Sequence, residues 1–178
     1  MKSSLSLCMI ASILSSKAMA GPTPGQDGLF RLPPGSKDGF YLHSVDANGI
    51  ASTEYLGLAN VTSISPDLAK PDTLSKRDSE GSRCQGNYVN PVDWDGAVDG
   101  LLGYCNFEES FSKAISYQSG NAVAYGCSYG GLETCRTWEV NPMITALKRD
   151  CGNQQQGFYT KPSWKVSYGV TSVGNSYC

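Results

Sequence analysis

Cysteine placement constrains this chain more than any other feature. Cys84, Cys105, Cys127, Cys135, Cys151 and Cys178 all lie beyond residue 83, and the one remaining cysteine, Cys8, stands near the start. An even set in an oxidising compartment pairs into three disulfides, whose connectivity the sequence leaves open. Zinc is the competing use of such a set. The spacings contain no Cys-x-x-Cys and no nearby histidine, so neither a metal nor a cofactor is expected.

The first residues agree with an oxidising compartment. Lys2, an apolar stretch from Leu5 to Leu14, and Ala18-Met19-Ala20 have the layout of a signal peptide over residues 1–20, cut after Ala20. Cys8 would leave with it. Nothing later approaches the ~20 continuous apolar residues of a membrane-spanning helix. The expectation is a secreted, extracellular protein with no stable membrane anchor.

A second cut is expected further on. Leu74-Ser75-Lys76-Arg77 is a dibasic sequence followed by the polar run Asp78-Ser79-Glu80-Gly81-Ser82, which has no apolar anchor. A kexin-type protease acting after Lys76-Arg77 would divide the chain into a propeptide, residues 21–77, and a mature disulfide-rich domain, residues 78–178. The alternative is a surface linker that happens to be dibasic. Lys148-Arg149 is a second such pair, but it falls late in an expected helix, where cleavage needs local unfolding. The propeptide holds no cysteine. It does hold a β-hairpin signal, with Phe40-Tyr41-Leu42 and Glu54-Tyr55-Leu56 flanking Asp46-Ala47-Asn48-Gly49, and these strands could join the domain before cleavage. Asn60-Val61-Thr62 is a glycosylation sequon in the same piece.

Within residues 78–178, seven Lys and Arg stand against ten Asp and Glu, a net charge of −3. Nucleic acid and anionic membranes select clustered basic residues, so neither is expected as a partner. A single domain, and a monomer, is expected.

Asn90-Pro91 opens a helix: asparagine caps well, proline suits the first helical position, and Asp93 and Asp95 sit where the helix dipole favours negative charge. Trp94, Ala97, Val98, Leu101, Leu102 and Cys105 then form one apolar stripe. Gly96, Gly100 and Gly103 each cost such a helix about 1 kcal/mol relative to alanine, so packing must hold it. Residues 113–117 and 122–129 read as a β-hairpin around Gln118-Ser119-Gly120-Asn121. Its one face carries Val123, Tyr125, Cys127 and Tyr129, and its other carries Ala122, Ala124, Gly126 and Ser128, small enough for a helix to approach closely. A second helix places Met143, Ile144, Leu147 and Cys151 on a stripe and ends at Gly152. It starts near Asn141-Pro142, or earlier with a cap at Thr137. Short extended segments follow at 157–160 and 164–168. The expected fold is α+β: two helices on a small antiparallel sheet, a two-layer sandwich stapled by three disulfides.

The lone histidine, His43, lies in the propeptide. Without histidine, and with its cysteines oxidised, the mature domain has no Ser-His or Cys-His nucleophile system. Asp93 with Asp95 or Asp99, and Glu108 with Glu109, are the carboxylate pairs a glycosidase-like mechanism could use. Helix capping and polar connections explain the same residues, so no catalytic residue is expected. Tyrosine and tryptophan anchor interfaces as well as cores. Gly126-Cys127-Ser128-Tyr129-Gly130-Gly131 puts Tyr129 on a glycine-rich bend that a disulfide could fix, and Tyr129, Gly130 and Gly131 are the candidate binding residues.

The signal peptide, the Leu-x-Lys-Arg site, Ala122-Val-Ala-Tyr-Gly-Cys-Ser-Tyr-Gly, Cys151-Gly152 and the closing Trp164-x-x-x-Tyr-Gly to Tyr-Cys resemble small secreted cysteine-rich proteins of filamentous fungi, many regarded as candidate effectors. The order of helices and hairpin is also similar to killer-toxin-like α/β sandwich proteins. The resemblance covers residues 74–178 and concerns a scaffold, so it carries over no catalytic residue. It implies secretion and action on another organism; with no catalytic group in the mature domain, the expectation is a virulence-type protein that acts on a host, outside or at the cell surface, by binding. An antifungal killer-toxin-like protein is the alternative among binding proteins. A small cell-wall hydrolase using a carboxylate pair is the alternative among enzymes.

Overall fold

The computed structural model describes residues 30–58 and 80–178. The expected signal peptide with its cut after Ala20, the sequon at Asn60 and the dibasic pair Lys76-Arg77 lie outside the described residues. Eleven elements follow in order: β1 (Gly39–Val45), β2 (Ala51–Gly57), β3 (Gly81–Tyr88), α1 (Pro91–Cys105), β4 (Ser110–Phe111), β5 (Ala114–Ser119), β6 (Ala122–Ser128), β7 (Glu133–Thr134), α2 (Thr137–Cys151), β8 (Gln155–Lys161) and β9 (Val166–Ser172). Seven strands form one sheet in the order β2-β1-β5-β6-β9-β8-β3, and β4 pairs with β7 alongside. Every pairing is antiparallel.

The α+β class and three disulfides are as expected, but the sheet is larger than the small one expected. The hairpin read at residues 40–56 is present as β1–β2, and β1 lies directly against β5, with Phe40 opposite Tyr117 and Leu42 opposite Ile115. Asp46 closes its turn by accepting the Asn48 and Ile50 amides at 2.9 and 2.8 Å. The second enlargement is β3. Its sequence is polar because it is an edge strand, exposed over most of its length, and it needs only the β8 ladder on one side. Apolar alternation marks strands with a face to bury, so a strand of this kind leaves little trace in the sequence.

α1 has the expected start: the Asn90 side chain accepts the Val92 amide at 2.9 Å and Pro91 is the first helical residue. Its glycines reflect contact with the sheet. A Cβ on Gly100 would fall 2.3 Å from the Tyr117 ring, and one on Gly96 would fall 2.4 Å from the Ser119 hydroxyl oxygen. α2 begins at Thr137, one residue ahead of the earlier expected start, because Arg136 and not Thr137 is the cap residue, and it makes no side-chain capping bond. Pro142 therefore sits inside the helix. Gly152 ends it with φ of 92°, a backbone geometry suited to glycine.

Both helices cover the same side of the sheet. Trp94, Leu101, Ile144 and Leu147 from the helices meet Phe40, Ile115, Ala124, Tyr168 and Val170 from the strands. On the opposite side the cover is made by the two ends of the described chain. Phe30, Leu32 and Tyr177 pack on Tyr41, Val123, Tyr125 and Cys127, and Phe30 pairs with Tyr177 as an isolated bridge. The disulfides join Cys84 to Cys151, Cys105 to Cys135 and Cys127 to Cys178. They tie β3 to the end of α2, the end of α1 to the start of α2, and β6 to the C-terminal residue. Each is worth about 2–4 kcal/mol through its restriction of the unfolded chain.

Leu101 and Leu147 are buried in this shared layer, so replacing either by alanine is expected to destabilise the protein by about 2–5 kcal/mol. Chemical denaturation of purified variants measures the loss. A loss under about 1 kcal/mol at both positions would contradict a common core beneath the two helices.

Candidate functional site

The helix-free side of the sheet carries two hollows that share a border. One, of about 280 Å³, is lined by Tyr125, Phe158, Ser167 and Tyr177 among others, and the second, of about 410 Å³, by Phe30, Val45, Lys113 and Gly131 among others. Tyr129 and Cys178 line both. The Cys127–Cys178 disulfide thus holds the C-terminal residue at the place where the hollows meet.

Tyr129 is held from two directions. Its amide donates to the Lys165 carbonyl at 2.8 Å, and its hydroxyl lies 2.9 Å from the Ser167 hydroxyl oxygen. The adjoining bend is fixed too: the Ser128 hydroxyl donates to the Gly131 carbonyl at 2.7 Å and the Ser128 amide to the Lys113 carbonyl at 2.8 Å. Gly130 lies against Lys165, where an added Cβ would stand 2.7 Å from the lysine Cδ, and Gly131 has φ of 112°. The result is an aromatic ring that stays 59 % exposed on a bend whose movement is restricted.

The same end of the sheet carries more exposed apolar surface. Phe107 follows α1, Leu132 follows the Tyr129 bend and Trp138 opens α2, with exposures of 66, 77 and 50 %. The Cys105–Cys135 disulfide and the β4–β7 pair join the segments that bear them. Trp138 meets Trp164 edge-on, with ring centroids 5.9 Å apart, and the Lys161 ammonium stands 3.1 Å from the centre of the Trp164 ring. Together these form a small aromatic and cationic cluster beside the Tyr129 bend.

The carboxylates considered for catalysis have other engagements. Asp93 accepts the Asn121 amide at 2.9 Å, which ties the first turn of α1 to the β5–β6 turn. Asp95 pairs with Lys148 at 3.4 Å. Burial, followed by the neighbouring Asp95 charge, raises Asp99. Glu108 and Glu109 lie exposed after α1. No Asp or Glu side chain lines either hollow.

The cluster around His43 has no signal in the sequence. From β1 its side chain enters the helix-free side of the sheet and is fully buried. Nδ1 lies 2.9 Å from the Thr53 hydroxyl oxygen, and Nε2 lies 2.8 Å from that of Ser116 and 3.0 Å from that of Tyr177. The Tyr177 hydroxyl also donates to Ser116 at 3.0 Å. A histidine beside a serine has the composition of an activated nucleophile, but Ser116 and His43 are both buried. The arrangement satisfies polar groups that would otherwise be costly in a core. Burial also pushes the Tyr177 and Tyr125 phenols upward. Glu139 is a second residue missed in the sequence: it is buried at the start of α2, pairs with Arg136 at 3.2 Å, and is raised chiefly by burial.

No protein-family model, no curated protein and no solved structure matches this chain. Among the described residues no helix is long and apolar enough to cross a membrane, and no group of three or more His, Cys, Asp or Glu is placed to hold a metal ion.

Burial lowers the His43 pKa from 6.5 to about 3. The unfolded chain therefore binds the proton between those values while the folded chain does not, so stability is complete above pH 6.5 and falls as pH drops toward 3. The full effect is roughly 4–5 kcal/mol at about 1.4 kcal/mol per pKa unit. The ring nitrogens face only the hydroxyls of Thr53, Ser116 and Tyr177, and the ring packs on Phe30. His43→Gln should remove about 3 kcal/mol of the stability difference between pH 7 and pH 4, as measured by urea unfolding. Equal pH dependence in the two proteins would contradict a neutral buried histidine.

Proposed function

We propose that this chain is a secreted, non-enzymatic effector-type protein of a fungus. It acts on another organism, outside or at the cell surface, by binding. The observation that carries the reading is the apolar end of the molecule, where Tyr129, Leu132, Phe107 and Trp138 are exposed on segments fastened by two disulfides and the β4–β7 pair. Water disfavours exposed aromatic and aliphatic side chains grouped in this way, and such groups mark interaction surfaces. Tyrosine and tryptophan contribute strongly to binding because they bury a large area at small conformational cost. Tyr129 meets that condition, since its amide and hydroxyl are already held.

Three disulfides support an extracellular site of action. The excess of acidic over basic residues argues against nucleic acid as partner. The hydrolase alternative has less support, because Asp93 caps a turn, Asp95 is paired, and the two hollows are lined without an Asp or Glu side chain. In this reading Tyr129, Gly130 and Gly131 form the contact loop, with the glycines allowing its shape and the tyrosine supplying the anchor.

The test uses the full secreted protein, infiltrated into plant tissue, with microbial growth assays in parallel for the killer-toxin alternative. Tyr129→Ala is expected to raise the dose required for a response at least about tenfold, the equivalent of 1.4 kcal/mol. Asp95→Asn, Glu108→Gln and Glu109→Gln are expected to leave the dose unchanged. A carboxylate variant that keeps its circular dichroism but loses activity about a hundredfold, as removal of an acid or base does, while Tyr129→Ala remains active, would overturn binding in favour of hydrolysis.

A further inference from the structure

The expected cut after Arg77 separates β1 and β2 from everything that follows, yet the structure gives this hairpin no independent existence. β1 pairs with β5 over five residues, from Gly39 opposite Gln118 to His43 opposite Ala114. The N-terminal stretch ahead of β1 grips the C-terminal tail: Phe30 and Tyr177 exchange two backbone hydrogen bonds of 2.8 and 2.9 Å, and the Gly174 amide donates to the Leu32 carbonyl at 2.9 Å. Side chains reinforce the ladder. Gln118 Nε2 donates to the Ser36 carbonyl at 2.9 Å, and Asp38 accepts the Gly120 amide at 2.9 Å. Phe30, Leu32, Phe40, Tyr41 and His43 are all buried against the later part of the chain.

We infer that residues 21–77 stay bound to residues 78–178 after cleavage, so that the processed protein consists of two chains held together without a covalent link. The inference rests on the dibasic reading of Lys76-Arg77 for the cut itself and on the described contacts for the retention. Residues 21–77 contain no cysteine, so no disulfide could join the products. Loss of the hairpin would strip β5 of one ladder and leave the edge of a buried strand facing water, a surface that invites aggregation. It would also take His43 from Ser116 and Tyr177, leaving two buried hydroxyls short of a partner. Phe40 would withdraw from its stacked contact with Tyr104, where the ring centroids are 3.5 Å apart. The cut removes only the connection between β2 and β3, and these are the two outermost strands of the sheet. No strand pairing among the described residues has to break.

The experiment treats the purified full chain with a kexin-type protease and follows it by denaturing mass spectrometry and by native size exclusion. Denaturing analysis without reductant should give two species, one beginning at Asp78 and the other ending at Arg77. Native chromatography should return both in one peak at the volume of the uncut chain. A peak holding residues 78–178 alone would overturn retention, and a chain left uncut would overturn the processing site. Lys76→Ala with Arg77→Ala should stay intact under the same treatment. Phe40→Ala, cut in the same way, should weaken association of the two pieces at least about tenfold by native titration. Unchanged association would show that β1 packing is not what holds them.

Discussion

β1 lies between the outermost strand β2 and the buried strand β5, and its side chains serve both layers of the molecule. Phe40 and Leu42 face the helices while Tyr41 and His43 face the chain ends. The alternation of a strand makes this double duty possible, since successive residues point to opposite faces. His43 fixes the register more tightly than an apolar residue could. A shift of one residue would turn its imidazole toward Trp94 and Leu101 and leave Ser116 and Tyr177 without their ring-nitrogen partner. The hydroxyls of Thr53, Ser116 and Tyr177 come from β2, β5 and the C-terminal tail. One buried imidazole thus connects segments from both ends of the described chain.

The two sides of the sheet are closed by different means. On one side, α1 approaches closely because Gly96 and Gly100 leave room for Ser119 and Tyr117, and the cost of glycine within a helix is offset by that packing. The other side carries no helix among the described residues. There the N-terminal stretch and the tail cover the sheet, and the Cys127–Cys178 disulfide holds the tail in place. The two hollows beside Tyr129 lie against this cover, bordered by Phe30, Tyr177 and Cys178. The candidate contact surface follows from the way this side is closed.

Much of the helical layer was legible because its signals are local. Asn90-Pro91 and the stripe from Trp94 to Cys105 fix α1, and Gly152 fixes the end of α2. The β5–β6 hairpin was legible from side-chain size, large on one face and small on the other. The start of α2 was harder to place, because Arg136 supplies no side-chain cap and Pro142 lies inside the helix. β3 was not legible: an exposed edge strand carries no apolar alternation, and its place is set by Cys84–Cys151 and the β8 ladder. The role of His43 was equally hidden. Its partners at positions 116 and 177 are joined to it only by the fold, and a single histidine has no spacing to read. The candidate site was legible at Tyr129 through its glycine-rich bend, whereas Phe107, Leu132 and Trp138 are brought beside it by the sheet and by Cys105–Cys135.

Residues 30–58 are therefore a structural part of the sheet, and the surface around Tyr129 rests on a core that includes them. Native-state hydrogen exchange on the full chain tests this most directly, because amides in one cooperative unit open together. The amides of β1 that bond to β5 should exchange with the same opening free energy as those joining β5 to β6, near the global stability of the protein. Exchange in β1 at least about a hundredfold faster than in β5 and β6, some 2.7 kcal/mol less protection, would mean that the hairpin only leans on a domain that stands without it.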